Sequence, residues 1–288
     1  MSTTQNIAVL CDSCSDVPEH LVRELGIQVV AMHINYRDAS YRDRVDIQPD
    51  EVYARFAEEV PRTSTPAPAD VAAAFEAMIA RGVTHVVAVS ISSELSATCD
   101  LMRSVATGYR DLTVEVIDTK SIGLGSGFTA IEAARLAQAG ASFEDVVLLC
   151  RAAARETEVF LCVDTLEYLY KGGRIGKAVY SLGSALDLRP VLTCDAEGVI
   201  ATAAKAHGRK ASIKKAFTAV KKAVAAHPGA RFRMAVVHGG ALDEARELEA
   251  RVREEFPQAA EVLFEQISPA LVVHTGPGLV GIGVQFLG

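Results

Sequence analysis

The feature that most constrains this chain is the alternation of its hydrophobic pattern. Up to residue 158, short apolar runs alternate with longer stretches of helical period. "NIAVLCDS", "IQVVAMHINY", "THVVAVSI" and "LTVEVIDT" read as strands. "VPEHLVRELG", "QPDEVYARFAEE", "DVAAAFEAMIARG", "ATCDLMRSVATGY", "SGFTAIEAARLAQAG" and "SFEDVVLLCRAAARETE" read as helices. Pro18 suits a first helical turn and Gly26 a stop. Strands that alternate with helices predict a parallel sheet covered on both faces.

Beyond this the pattern changes. "VFLCVD" is a strand, and "TLEYLYKGG" and "RIGKAVYSLGSAL" are two helices. "RPVLTCD" and "GVIATAAKA" flank an Asp-Ala-Glu-Gly turn as a hairpin. A basic helix, a strand, a charged helix and the strand "EVLFEQIS" follow. The expected fold class is therefore α/β in two domains. Residues 1–160 form a parallel sheet with helices on both faces, and residues 161–288 form an α/β layer of more antiparallel character. The run "VVHTGPGLVGIGV" places His274 against an apolar, strand-like stretch before a Thr-Gly-Pro-Gly turn.

With 288 residues, half of them hydrophobic, the chain can bury a large core. A net charge of -7, without a long basic run, argues against nucleic-acid binding. The lack of Trp argues against base stacking. No run of about eighteen apolar residues predicts a membrane span. The first residues lack the pattern of a secretory signal, so the cytoplasm is the default compartment and the six cysteines are expected as free thiols. A monomer is the default oligomeric state.

Ligands of open parallel sheets sit beyond the C-terminal strand ends. That rule selects the Ser/Thr-rich loops "CDSCSD", "RTSTPAP", "SISSELSAT" and "DTKSIGLGSG". Ser92, Ser93 and Ser96 lie between a strand and a helix, where they either cap the helix or help bind an anion. Cys11 and Cys14 have C-x-x-C spacing; buried thiols fit better than a redox pair or half a zinc site. "KGGRIGK" matches no phosphate loop, but its glycines could bring Arg174 close to an anion; a solvated Arg on a helix-connecting turn is the alternative. The basic helix carrying Arg209 is a solvated face or a docking face. His274 is a base, a ligand donor or a packed histidine. With no nucleophile elbow, H-E-x-x-H or carboxylate pair, the residues favour binding over catalysis.

In order along the chain, "DSCSD", "TSTPAPAD", "ISSELSAT", "DTKSIGLGSG", "TLEYLYKGGRIGK", "RPVL", "GRK" and "HTGPG" together resemble the DegV family of fatty-acid-binding proteins. The resemblance covers nearly the whole chain. It implies a two-domain protein, itself not an enzyme, that encloses a long-chain fatty acid in an apolar tunnel at the domain junction. It further implies no cofactor, and a separate ATP-binding fatty-acid kinase subunit that phosphorylates the presented carboxylate to an acyl phosphate. By motif position, Thr63, Ser93 (Ser96 as second choice), Arg174 and His274 would bind the carboxylate, and Arg209 would dock the kinase. The chain departs from the family pattern at Cys11 and Cys14 (often threonine), Thr65 (commonly glutamine), and Glu94 and Ala97 (glycines). Glu94 is expected to face solvent. The alternatives are a stand-alone acyl- or phosphoryl-transfer enzyme using His274 and a loop serine, and a binder of phosphorylated metabolites.

Overall fold

The computed structural model describes residues 5–183 and 188–287. The first part of the chain runs β1 (Ile7–Asp12), a 3-10 turn (Ser13–Ser15), α1 (Glu19–Leu25), β2 (Gln28–Val30), β3 (His33–Asn35), β4 (Ser40–Arg42), α2 (Pro49–Arg55), β5 (Arg62–Ser64), α3 (Pro68–Ala80), β6 (His85–Ser90), α4 (Thr98–Ala106), β7 (Thr113–Asp118), α5 (Leu124–Gln138) and α6 (Phe143–Arg155). The rest runs β8 (Thr157–Cys162), α7 (Glu167–Lys171), α8 (Lys177–Gly183), β9 (Val191–Cys194), β10 (Ile200–Ala204), α9 (Arg209–Ala226), β11 (Arg231–Gly239), α10 (Leu242–Glu255), β12 (Val262–Gln266), α11 (Pro269–Thr275) and β13 (Leu279–Leu287).

The apolar runs of the first part form a parallel sheet in the order β2-β1-β6-β7. The second sheet has the order β10-β9-β8-β13-β11-β12. All its neighbours are antiparallel except β11 and β12. Parallel character therefore gives way to antiparallel character between α6 and β8, as the sequence predicts. Local signals set the helix ends. Ser142 Oγ accepts from the Asp145 N–H at the start of α6, and Gly26 ends α1 with a left-handed φ of 66°.

A third, small antiparallel sheet, β4-β3-β5, was not predicted. Residues 27–36 read as one strand, but the chain bends between β2 and β3. There Ser13 Oγ accepts from the Met32 N–H and the Met32 carbonyl accepts from the Asp43 N–H. The loop predicted at "RTSTPAPAD" opens as β5, whose Thr63 pairs with Ile34. The glycine-rich loop after β7 is shorter than expected, because α5 already begins at Leu124.

The strand-like reading around His274 is corrected too. Residues 269–275 form α11, with Pro269 in its first turn and Gly276 at its C-cap with φ 68°. Ala270, Leu271, Val272 and Val273 are all buried. A helix buried all round leaves a continuous apolar run, which periodicity cannot distinguish from a strand. The helix predicted from residue 174 starts at Lys177, and its predicted tail at residues 184–186 lies outside the described residues.

The layers follow from three apolar clusters. One lies under α3 and α4 on one face of the parallel sheet. Another lies under α9 and α10 on one face of the six-stranded sheet. The largest fills the space between the two sheets and takes in α5 and α11. Among the described residues, no helix is long and apolar enough to cross a membrane.

Candidate functional site

β5 and α11 bring two distant motifs together in the central layer. Thr63 Oγ1 lies 2.7 Å from His274 Nε2. The other ring nitrogen, Nδ1, is buried without a hydrogen-bond partner among the described residues. It packs against Gly172, where a Cβ would collide with it. Burial, and secondarily the Arg174 charge, pushes the His274 pKa down to about 3, so the ring is neutral at neutral pH.

Arg174 follows the C-terminal turn of α7. Gly173 supplies a φ of 74°, and the Arg174 N–H donates back to the Leu169 carbonyl. The guanidinium donates through Nε to the Leu95 carbonyl at 3.2 Å and through Nη1 to the Gly172 carbonyl at 2.5 Å. No carboxylate among the described residues lies within ion-pair distance of it. Burial lowers its pKa, but a guanidinium stays charged in proteins.

Arg174, His274, Thr63 and Ser96 all line one narrow cavity. The rest of its wall is mostly apolar and includes Ile91, Leu95, Leu169 and Leu192. A second narrow apolar cavity adjoins it and shares Ile122, Leu161, Leu271 and Thr275. The arrangement is a hydroxyl- and guanidinium-lined head followed by a long apolar space. Burying an unpaired charge is costly, and this cation faces a cavity that an anion with an apolar tail would complete.

The serines sort differently from expectation. Ser96, the second choice, lines the cavity, and its hydroxyl lies 2.8 Å from Thr98 Oγ1. Ser93 does not line it. Its hydroxyl donates to Asp118 at 2.5 Å and accepts from Lys120 Nζ at 3.1 Å, which draws it toward the end of β7. Ser92 donates to the Gly198 carbonyl. Glu94 is exposed, as expected, so its charge is not directed at the cavity.

Arg209 is already engaged. It forms a salt bridge with Glu244 at 2.8 Å, lies 3.6 Å from Asp164, and donates to the Cys162 carbonyl, with its side chain only 17% exposed. It ties α9 to α10 and to the end of β8. Cys11 and Cys14 are buried free thiols, and Cys14 contributes to the cavity wall. Among the described residues, no group of His, Cys, Asp and Glu could hold a metal ion.

Sequence reasoning missed a buried acidic knot behind the site. Burial raises Asp12 to about 6, Asp16 to about 7 and Asp43 to about 6. Asp16 accepts from the Ser268 N–H at 2.8 Å and from Arg44 Nη2 at 3.3 Å, while Arg44 also donates to the Gln266 carbonyl. The knot fixes the start of α11, whose last turn carries His274. Its available signal was the acidic pair Asp12 and Asp16 flanking Cys14 in "DSCSD", which the sequence reading passed over in favour of the cysteines.

The chain is similar to known proteins over nearly its whole length. The model of the DegV family, described as uncharacterised proteins, matches residues 6–286. A DegV domain-containing protein of Clostridium acetobutylicum is 36% identical over 278 residues, covering 96% of this chain and 98% of the relative. A fatty-acid-binding DegV family protein of Thermus thermophilus superposes with a TM-score of 0.91 at 32% identity, covering 98% of this chain and 100% of that one. A stearic-acid-binding protein of Eubacterium ventriosum superposes with a TM-score of 0.89 at 25% identity, covering 97% and 98%. In fold and in sequence, this chain belongs to the DegV family.

Proposed function

We propose that this protein binds a long-chain fatty acid, with the acyl chain in the joined apolar cavities and the carboxylate on Arg174. The observation that carries this reading is the partly buried guanidinium, without a carboxylate partner among the described residues, at the polar end of an apolar space. A carboxylate there gains charge-assisted hydrogen bonds. Thr63, oriented by neutral His274, and Ser96 can donate to its second oxygen. Each buried methylene adds about 0.8 kcal/mol. The apolar wall disfavours a phosphorylated metabolite, and the related fatty-acid-binding proteins support the lipid.

In this reading the chain has two lobes that divide near residue 160, and it acts in the cytoplasm as a lipid-presenting subunit, not as an enzyme. A separate ATP-binding kinase subunit supplies the nucleotide. An oxygen of the bound carboxylate attacks the γ-phosphorus, the bond to ADP breaks, and an acyl phosphate forms. Native mass spectrometry of the purified protein, followed by organic extraction, tests the lipid step. A bound long-chain acid at one per chain is expected. Protein that emerges empty and takes up no fatty acid at micromolar concentration refutes it.

A further inference from the structure

The deep end of the apolar space has a defined stop. Three neighbouring strands of the six-stranded sheet present a row across one face: Val159 on β8, Gly283 on β13 and Ala235 on β11, each in register with the next. All three line the second cavity. The next row on the same face, two residues along, is Thr157, Gln285 and Arg233. It is polar. Gln285 donates to Thr157 Oγ1 at 2.9 Å, and Arg233, only 2% exposed, pairs with Glu132 of α5. Phe128, one helical turn before Glu132, lies over Gly283 with its ring 5.9 Å from the Arg233 guanidinium carbon. An apolar chain entering this space would meet the polar row just beyond Gly283.

Gly283 is not explained by its backbone. It lies inside a regular strand without a positive φ, where glycine weakens a sheet and often marks close approach of a ligand. A Cβ there would stand 3.6 Å from Phe128, 3.7 Å from Val159 and 3.9 Å from Ala235, all ordinary contacts. The protein could accommodate a side chain at this position; what it would lose is space in the cavity. Gly281, one row nearer the head, differs, because the side chains of Leu161 and Val237 already close over it.

We propose that Gly283 sets the longest acyl chain this protein accepts, with Phe128 and the polar Thr157–Gln285–Arg233 row as the closed end. This rests on the acyl-chain reading of the cavity. The test uses the delipidated full chain, titrated with straight-chain saturated acids from decanoic to eicosanoic. The wild type, Gly283→Ala and Gly283→Val are compared, with thermal melts as folding controls. The longest acid accepted by the wild type should lose about fourfold in affinity per displaced methylene, the equivalent of about 0.8 kcal/mol. The loss should be larger in Gly283→Val than in Gly283→Ala, and shorter acids should keep their affinity. Should the valine variant not fold, the alanine variant carries the test alone. Equal weakening at every length, or an unchanged length profile, overturns the proposal. A wild type that binds no acid of any length instead refutes the acyl-chain reading itself.

Discussion

Arg44 and Arg174 stand near opposite ends of α11, and their surroundings are opposite. Arg44 has Asp16 at 3.3 Å and Glu265 at 3.8 Å, and it also donates to the Gln266 carbonyl. Arg174 has carbonyl acceptors and a cavity. Arg209 and Arg233 resemble Arg44, since each is paired with a glutamate. Arg44, Arg209 and Arg233 each have a carboxylate partner within the fold, whereas Arg174 faces a mostly apolar cavity, the arrangement that the proposed function uses. The difference identifies the site more sharply than the presence of arginine does.

The largest expected effect separates the two arginines by stability. Arg44→Met leaves the fully buried Asp16 without its counter-charge. At pH 8, where Asp16 is ionised, it should cost about 3 kcal/mol, the lower end for breaking a buried pair. Arg174→Met removes a partly buried cation that has no carboxylate partner among the described residues, and should leave the stability of the ligand-free protein unchanged or higher. Urea unfolding of both variants checks this. If Arg174→Met destabilises as much as Arg44→Met, the contrast is broken.

A smaller effect appears with pH. Asp12, Asp16 and Asp43 have folded pKa values raised from 3.8 to about 6, 7 and 6. Their contribution is fully present below pH 3.8 and is lost as pH rises through 6–7. His274 is depressed from 6.5 to about 3, so its contribution is present above 6.5 and is lost as pH falls toward 3. Between pH 4 and 6.5 the knot and the site therefore act in opposite directions, and the three acids dominate. Thermal melts should show stability falling across this window as pH rises. The decline should be steeper in His274→Asn and shallower in Asp16→Asn. Equal slopes in all three proteins would contradict the assignment.

Much of the fold was legible because strands and amphipathic helices alternate cleanly before β8, and because an Asp-Ala-Glu-Gly turn marks the β9–β10 hairpin. The small sheet β4-β3-β5 was not, since three-residue strands leave no period to read. Within the site, Thr63, Arg174 and His274 lie together as expected, although α11 carries the histidine on a helix instead of a strand. Ser96, not Ser93, lines the cavity, for a physical reason. Which hydroxyl of a Ser-rich loop turns inward depends on competitors elsewhere, here Asp118 and Lys120 at the C-terminal end of β7. The acidic knot was hidden similarly, because Asp43, Arg44 and Ser268 meet Asp12 and Asp16 only through the tertiary fold.

The central claim is that Arg174 receives the carboxylate of a fatty acid. Isothermal titration of the delipidated protein with hexadecanoic acid and with hexadecanol tests it directly, because the two share a chain and differ in the head group. A hydrogen-bonded charge contributes about 1.5–3 kcal/mol, so the acid should bind about 10- to 100-fold more tightly than the alcohol in the wild type. In Arg174→Met the gap should close. An alcohol that binds as tightly as the acid, or a gap that survives the loss of Arg174, would contradict the account.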